Sequence, residues 1–82
     1  MDRKMHKQLD TLLASALAEL SQTSTSEETA AWRVTYLGRR SELTQLLRSI
    51  RDLPAAERRD AGQAANAVRK TLETAFKTRL QE

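Results

Sequence analysis

"YLGRRSEL", Tyr36–Leu43, interrupts a stretch whose surroundings read as one long helix. A glycine inside a helix costs about 1 kcal/mol relative to alanine, so Gly38 needs a physical reason. Before it, Ala30, Val34 and Leu37 form one apolar stripe at helical spacing. After it, Leu43, Leu46, Leu47 and Ile50 form a second. At roughly 100° per residue the second stripe is rotated by well over a right angle. Trp32 and Tyr36 side with the second stripe. One straight helix cannot serve one partner with both. Gly38 is therefore expected to mark a kink or an exchange of packing partners. The first half would pack on residues 2–20 and the second on the chain downstream of it.

Outward from this point the chain stays helical. Thr25-Ser26-Glu27-Glu28 matches a capping box. The threonine oxygen would serve one backbone amide while Glu28 reaches back to another. The spacing predicts a helix from about Ser26 to Asp52. Upstream, "SQTSTS" (21–26) carries hydroxyls that compete for backbone hydrogen bonds and so breaks the pattern. Over residues 2–20, Met5, Leu9, Leu12, Leu13, Ala16, Leu17 and Leu20 recur at threes and fours, with Asp2 as N-cap. Downstream, "RDLPAAERRDAG" (51–62) is a turn. Pro54 disfavours helical backbone at Leu53 and suits the first turn of the next helix. That helix, 55–81, carries a seam of Ala61, Ala64, Ala65, Val68, Leu72, Ala75 and Phe76. The pattern reaches the last residue without a stop signal, which predicts a piece of a longer parent. The expected fold is all-α: an antiparallel helical hairpin, or coiled coil, with an additional N-terminal helix. Residues 1–82 then form a single arm whose long helices span roughly 40 Å each.

Eighty-two residues make at most one domain. A single core of this size rarely supplies more than about 3–5 kcal/mol. The chain has no cysteine and one histidine, His6, so neither a disulfide nor a metal site on these ligands is expected. A reducing, cytoplasmic setting is the default. No run approaches the roughly 20 apolar residues of a membrane span. Cys–His pairs, glycine-rich phosphate loops and histidine–carboxylate clusters are missing, so no catalytic residues or cofactor site are expected here. Charge is unevenly spread. Residues 1–28 carry three basic and five acidic groups, residues 29–70 nine and four, and residues 71–82 two of each. The middle of the chain is its basic part.

Within that part, Arg33, Arg40 and Arg51 share one face of an ideal helix, with Arg48 beside them. Arg39 lies elsewhere, but unwinding at Gly38 would redirect it. Arg58 and Arg59 flank the hairpin turn, and Arg69 and Lys70 lie further along. Such a display suits a phosphate backbone, gripped without reading bases. The competing reading is a solvated face with ion pairs, such as Arg39 or Arg40 with Glu42 or Asp52. Trp32 and Tyr36 either stack on exposed bases or fill the seam between helices, which their alignment with Leu43 and Ile50 favours. Phe76 belongs to the core by the same logic. Asn66 either bonds across the hairpin or stays exposed, and His6 reads as a surface residue.

The order of residues carries a resemblance. Tyr36, Leu37, Gly38, Arg39, Arg40, Glu42, Leu43 and Thr44 match, in order, an element typical of the N-terminal region of the bacterial phenylalanyl-tRNA synthetase alpha subunit. Leu53, Pro54, Glu57, Arg58, Ala61, Gly62, Gln63 and Asn66 match a second at the family's spacing. Together the two cover about half the chain. Ser41 stands where the family has a second glycine, removing the residue a left-handed turn there would use. Arg59 stands where it has proline. The resemblance implies a coiled-coil arm that leans on tRNA outside the anticodon. It also implies a parent heterotetramer of two alpha and two beta subunits, which charges tRNA with phenylalanine using ATP and Mg2+ in a separate catalytic domain. Carried over, Arg39 and Arg40 become the leading phosphate contacts, with Arg33, Arg48, Arg51, Arg58 and Arg59 in support. The alternatives are a helical-hairpin module that binds protein and no nucleic acid, or the arm of another synthetase such as the seryl enzyme.

Overall fold

The computed structural model describes residues 3–81; the expected N-cap Asp2 lies outside them. Four helices follow one another: α1 (Arg3–Ser21), α2 (Ser26–Leu37), α3 (Glu42–Ile50) and α4 (Ala55–Gln81). Among the described residues there is no strand, and the all-α class holds. The molecule measures 42 × 19 × 17 Å, an elongated body one helix pair thick.

The start of α2 is dictated by its sequence. Thr25 Oγ1 accepts from the Glu28 amide at 3.0 Å, and Glu28 Oε1 accepts from the Thr25 amide at 3.1 Å. Glu27 and Glu28 also place negative charge in the first turn, where the helix dipole favours it. Pro54 precedes α4, and its carbonyl accepts from Arg58 N at 2.8 Å.

The expected single helix over 26–52 is instead two helices separated by a turn at 38–41. Gly38 closes α2 with φ −74° and ψ 172°, its amide donating to the Val34 carbonyl. No described residue has a positive φ, so the glycine is not required for a left-handed turn. It is required for space: a Cβ at 38 would collide with the Val34 carbonyl oxygen and lie 3.2 Å from its carbon. Ser41, buried, then caps α3 by accepting from Thr44 N at 3.2 Å. The Gly38 carbonyl accepts from both Ser41 N and Thr44 Oγ1. The break is thus built from side-chain and backbone hydrogen bonds.

Packing resolves the conflict of stripes differently from the expectation. In α2 the buried residues are Thr29 and Trp32, whereas Val34 is 70 % exposed and Ala30 is exposed. The Ala30–Val34–Leu37 stripe is not the packing face. Trp32 decides the register, because its indole buries more area than the small stripe could and its Nε1–H donates to the Ala16 carbonyl at 2.7 Å. Nor is there a clean exchange of partners at Gly38: α2 and α3 each pack on both α1 and α4. In α1, Met5, Leu9, Leu12, Ala16 and Leu20 are buried as expected, while Leu17 is 37 % exposed.

The long-range contacts fix the directions. His6 meets Asp60 at one end, and Arg79 meets Ser21 and Thr23 at the other. So α1 and α4 run parallel. Phe76, near the end of α4, stacks on Trp32 of α2, with ring centroids 6.1 Å apart and planes 7° apart, while the 51–54 turn joins the opposite ends. The α2–α3 pair therefore runs antiparallel to α4. Expected to be an addition to a hairpin, α1 is a full third member and shares its most extensive interface with α4. Leu43, Leu46 and Ile50 of α3 meet Ala61, Ala65, Val68 and Leu72 of α4 in one continuous core.

Candidate nucleic-acid interface

The α2–α3 break does more than bend the chain. It opens a cleft of about 400 Å³ between the break, α3 and α4. Its floor is Leu37, Gly38, Leu43, Thr44 and Leu47, and its rim is Arg39, Arg48, Arg51 and Arg69. No carboxylate lines it. Each rim arginine is exposed, and each guanidinium carries five donors in a planar fork suited to phosphate oxygens. Four like charges around one concavity raise the local potential for anions, within a Debye length of about 8 Å at physiological salt.

The seven arginines singled out from sequence separate in space. Arg39, Arg48 and Arg51 share the cleft. Unwinding at Gly38 does redirect Arg39, while the same break dissolves the ideal-helix grouping of Arg33, Arg40 and Arg51. Arg40 sits at the turn, exposed and off the cleft, with its carbonyl accepting from Gln45 Nε2 at 3.3 Å. Arg33 lies over the Phe76 ring, 5.7 Å from its centroid. Arg58 and Arg59 are exposed in the first turns of α4. Among the described residues none of these seven is within 4.0 Å of a carboxylate, so the ion pairs of the competing reading, Arg39 or Arg40 with Glu42 or Asp52, do not form.

Arg69 is the cleft member that sequence reasoning left out of its site. Its signal was available: it comes directly after Val68 in the Ala61–Ala65–Val68–Leu72 seam, which puts it at the edge of the buried face. It differs from its neighbours in being engaged, Nε to Glu73 Oε1 at 3.1 Å, one turn along the same helix.

The aromatic residues are structural. Trp32 is 4 % exposed and cannot receive a base. Tyr36 is half-buried, its ring 5.5 Å from that of Trp32 and its hydroxyl donating to Glu19 Oε2. Burial first, then the Glu19 carboxylate, pushes its pKa up to about 12. Asn66 is exposed, and His6 is half-buried with Nε2 3.4 Å from Asp60 Oδ2. Among the described residues no group of three His, Cys, Asp or Glu side chains could hold a metal ion. None of their helices is long and apolar enough to cross a membrane.

The described residues thus form a slender helical bundle with an arginine-rimmed cleft that no carboxylate lines. Comparison with known proteins places the chain in a family. The family described as "Aminoacyl tRNA synthetase class II, N-terminal domain" matches residues 24–82, and the chain belongs to it. It is 46 % identical over 70 residues to the phenylalanine–tRNA ligase alpha subunit of Dehalococcoides mccartyi strain BAV1, covering 85 % of this chain and 20 % of that protein. With the alpha subunit of Citrifermentans bemidjiense it shares 43 % identity over 75 residues, 92 % of this chain and 22 % of the relative. With that of Moorella thermoacetica it shares 50 % over 62 residues, 76 % of this chain and 18 % of the relative. The likeness therefore extends beyond the two motif elements and takes in most of α1. The chain spans about a fifth of the length of these curated relatives. No solved structure matches it.

Proposed function

We propose that this chain is the tRNA-binding N-terminal arm of a phenylalanine–tRNA ligase alpha subunit. It positions tRNA by contacts to the phosphate backbone, while aminoacylation takes place in another part of the parent. The observation that carries the reading is the four-arginine, carboxylate-free cleft at the α2–α3 break, in a chain whose relatives bear that enzyme's name. Arg39, Arg48 and Arg51 hold phosphates in the cleft. Arg40, Arg58, Arg59 and Arg33 add weaker, more exposed contacts along the arm.

The parent is a cytoplasmic heterotetramer of two alpha and two beta subunits that uses ATP and Mg2+. On this reading nucleotide and metal bind in the parent's catalytic domain, and no residue of this chain is assigned to either.

The test is a titration of a fluorescently labelled tRNA transcript with the chain at about 50 mM and about 200 mM salt. Binding that weakens steeply with salt, without aminoacylation, is expected. Indifference to tRNA at the lower salt, together with self-association, would replace this reading with a protein-binding helical module.

A further inference from the structure

Three rim arginines of the cleft, Arg39, Arg48 and Arg51, are free of carboxylates. The fourth, Arg69, is held by Glu73, with Nε and Oε1 at 3.1 Å and side chains 57 % and 50 % exposed. The pair spans one helical turn, and exposed pairs of this kind contribute little to stability. Holding Arg69 is therefore a weak structural device. Its consequence is electrostatic, because Glu73 sets a negative charge beside a concavity otherwise surrounded by positive ones. It also occupies the Nε donor that a bidentate phosphate contact uses.

We infer that Arg69 is a fourth phosphate-binding residue of the cleft and that Glu73 attenuates it, competing with the RNA backbone for the same guanidinium. This rests on the cleft being the RNA-phosphate site. A phosphodiester entering the cleft displaces the Glu73 carboxylate from Arg69, and the exchange lowers net affinity relative to an unpaired arginine. An arm that reads no bases gains from such a brake. Unchecked, four arginines in one cleft would hold any structured RNA, and slow its release.

The experiment is a labelled-tRNA titration of four variants against wild type at about 50 mM and about 200 mM salt. Glu73→Gln should bind about twofold tighter, with a steeper salt dependence. Arg69→Ala should weaken binding and flatten the dependence. Glu27→Gln, which removes the same charge from the first turn of α2, should have a distinctly smaller effect than Glu73→Gln. In the Arg69→Ala, Glu73→Gln double variant the gain should vanish. If Glu73→Gln matches Glu27→Gln, or keeps its full gain without Arg69, the attenuation is wrong while the arm remains an RNA binder. If wild type and every variant ignore tRNA at the lower salt, both this inference and the proposed function fall.

Discussion

The amide of Gly38 donates to the carbonyl oxygen of Val34 at 3.2 Å, and the same oxygen stands where a Cβ on residue 38 would have to go. Bond and glycine are therefore one device. It ends α2, frees Arg39 from the helix face, and lets Ser41 cap α3. Gly38→Ala must move the backbone or lose the bond. A loss of about 1–3 kcal/mol is expected, a drop in Tm of about 4–8 °C for each kcal/mol. Thermal unfolding monitored by circular dichroism measures it. An unchanged Tm would mean that α2 simply continues through position 38.

Trp32 ties α2 to α1 by its bond to Ala16 and to α4 by stacking on Phe76. Truncating a buried aromatic residue costs about 3–5 kcal/mol, comparable to everything a core of this size supplies. Trp32→Ala should be largely unfolded at room temperature, and Trp32→Phe folded with a lower urea midpoint. Helical signal against urea checks both. A folded Trp32→Ala variant would show that the rest of the core, α1 on α4 included, suffices without it.

Much of this architecture is legible in the sequence, for physical reasons that differ by element. The capping box at Thr25–Glu28 is local chemistry, readable without knowing the fold. Pro54 and the Ala61–Leu72 seam are equally local. Periodicity misplaces Val34 because it counts apolar residues alike. Trp32, off that stripe, outweighs Ala30 and Val34 together once α1 and α4 are both present to receive it. Arg69 escapes for a related reason. Its position beside Val68 sets it at the edge of the buried face, but its place on the cleft depends on the break at 38–41 bringing α3 against α4, a long-range relation.

Tyr36 offers a pH test. Its pKa is raised to about 12 by burial and by Glu19, so the folded state favours the neutral phenol. The associated stability is fully present below the unfolded value of about 10. It is lost as pH rises from there through about 12. Spectrophotometric titration of this sole tyrosine should show late ionisation. In Glu19→Gln it should come earlier, though still above the free value because burial remains. An ordinary tyrosine titration in the folded protein would contradict both the burial of Tyr36 and its bond to Glu19.

Thr25→Ala removes the acceptor for the Glu28 amide and breaks the capping box. A cost of about 1 kcal/mol is expected, read as a shifted urea midpoint with tRNA affinity at low salt unchanged. An equal loss of affinity would make the α2 N-terminus part of the RNA surface.

The central claim is that guanidinium groups gathered by the break at Gly38 hold an RNA backbone. The direct measurement is the salt slope of tRNA binding for wild type and for the Arg39→Ala, Arg48→Ala, Arg51→Ala triple variant. Three lost phosphate contacts should flatten the slope by about 2–3 units and weaken binding at low salt. The Arg58→Ala, Arg59→Ala pair, which does not line this cleft, should change both less. A triple variant with the slope and affinity of wild type, still folded, would contradict the claim.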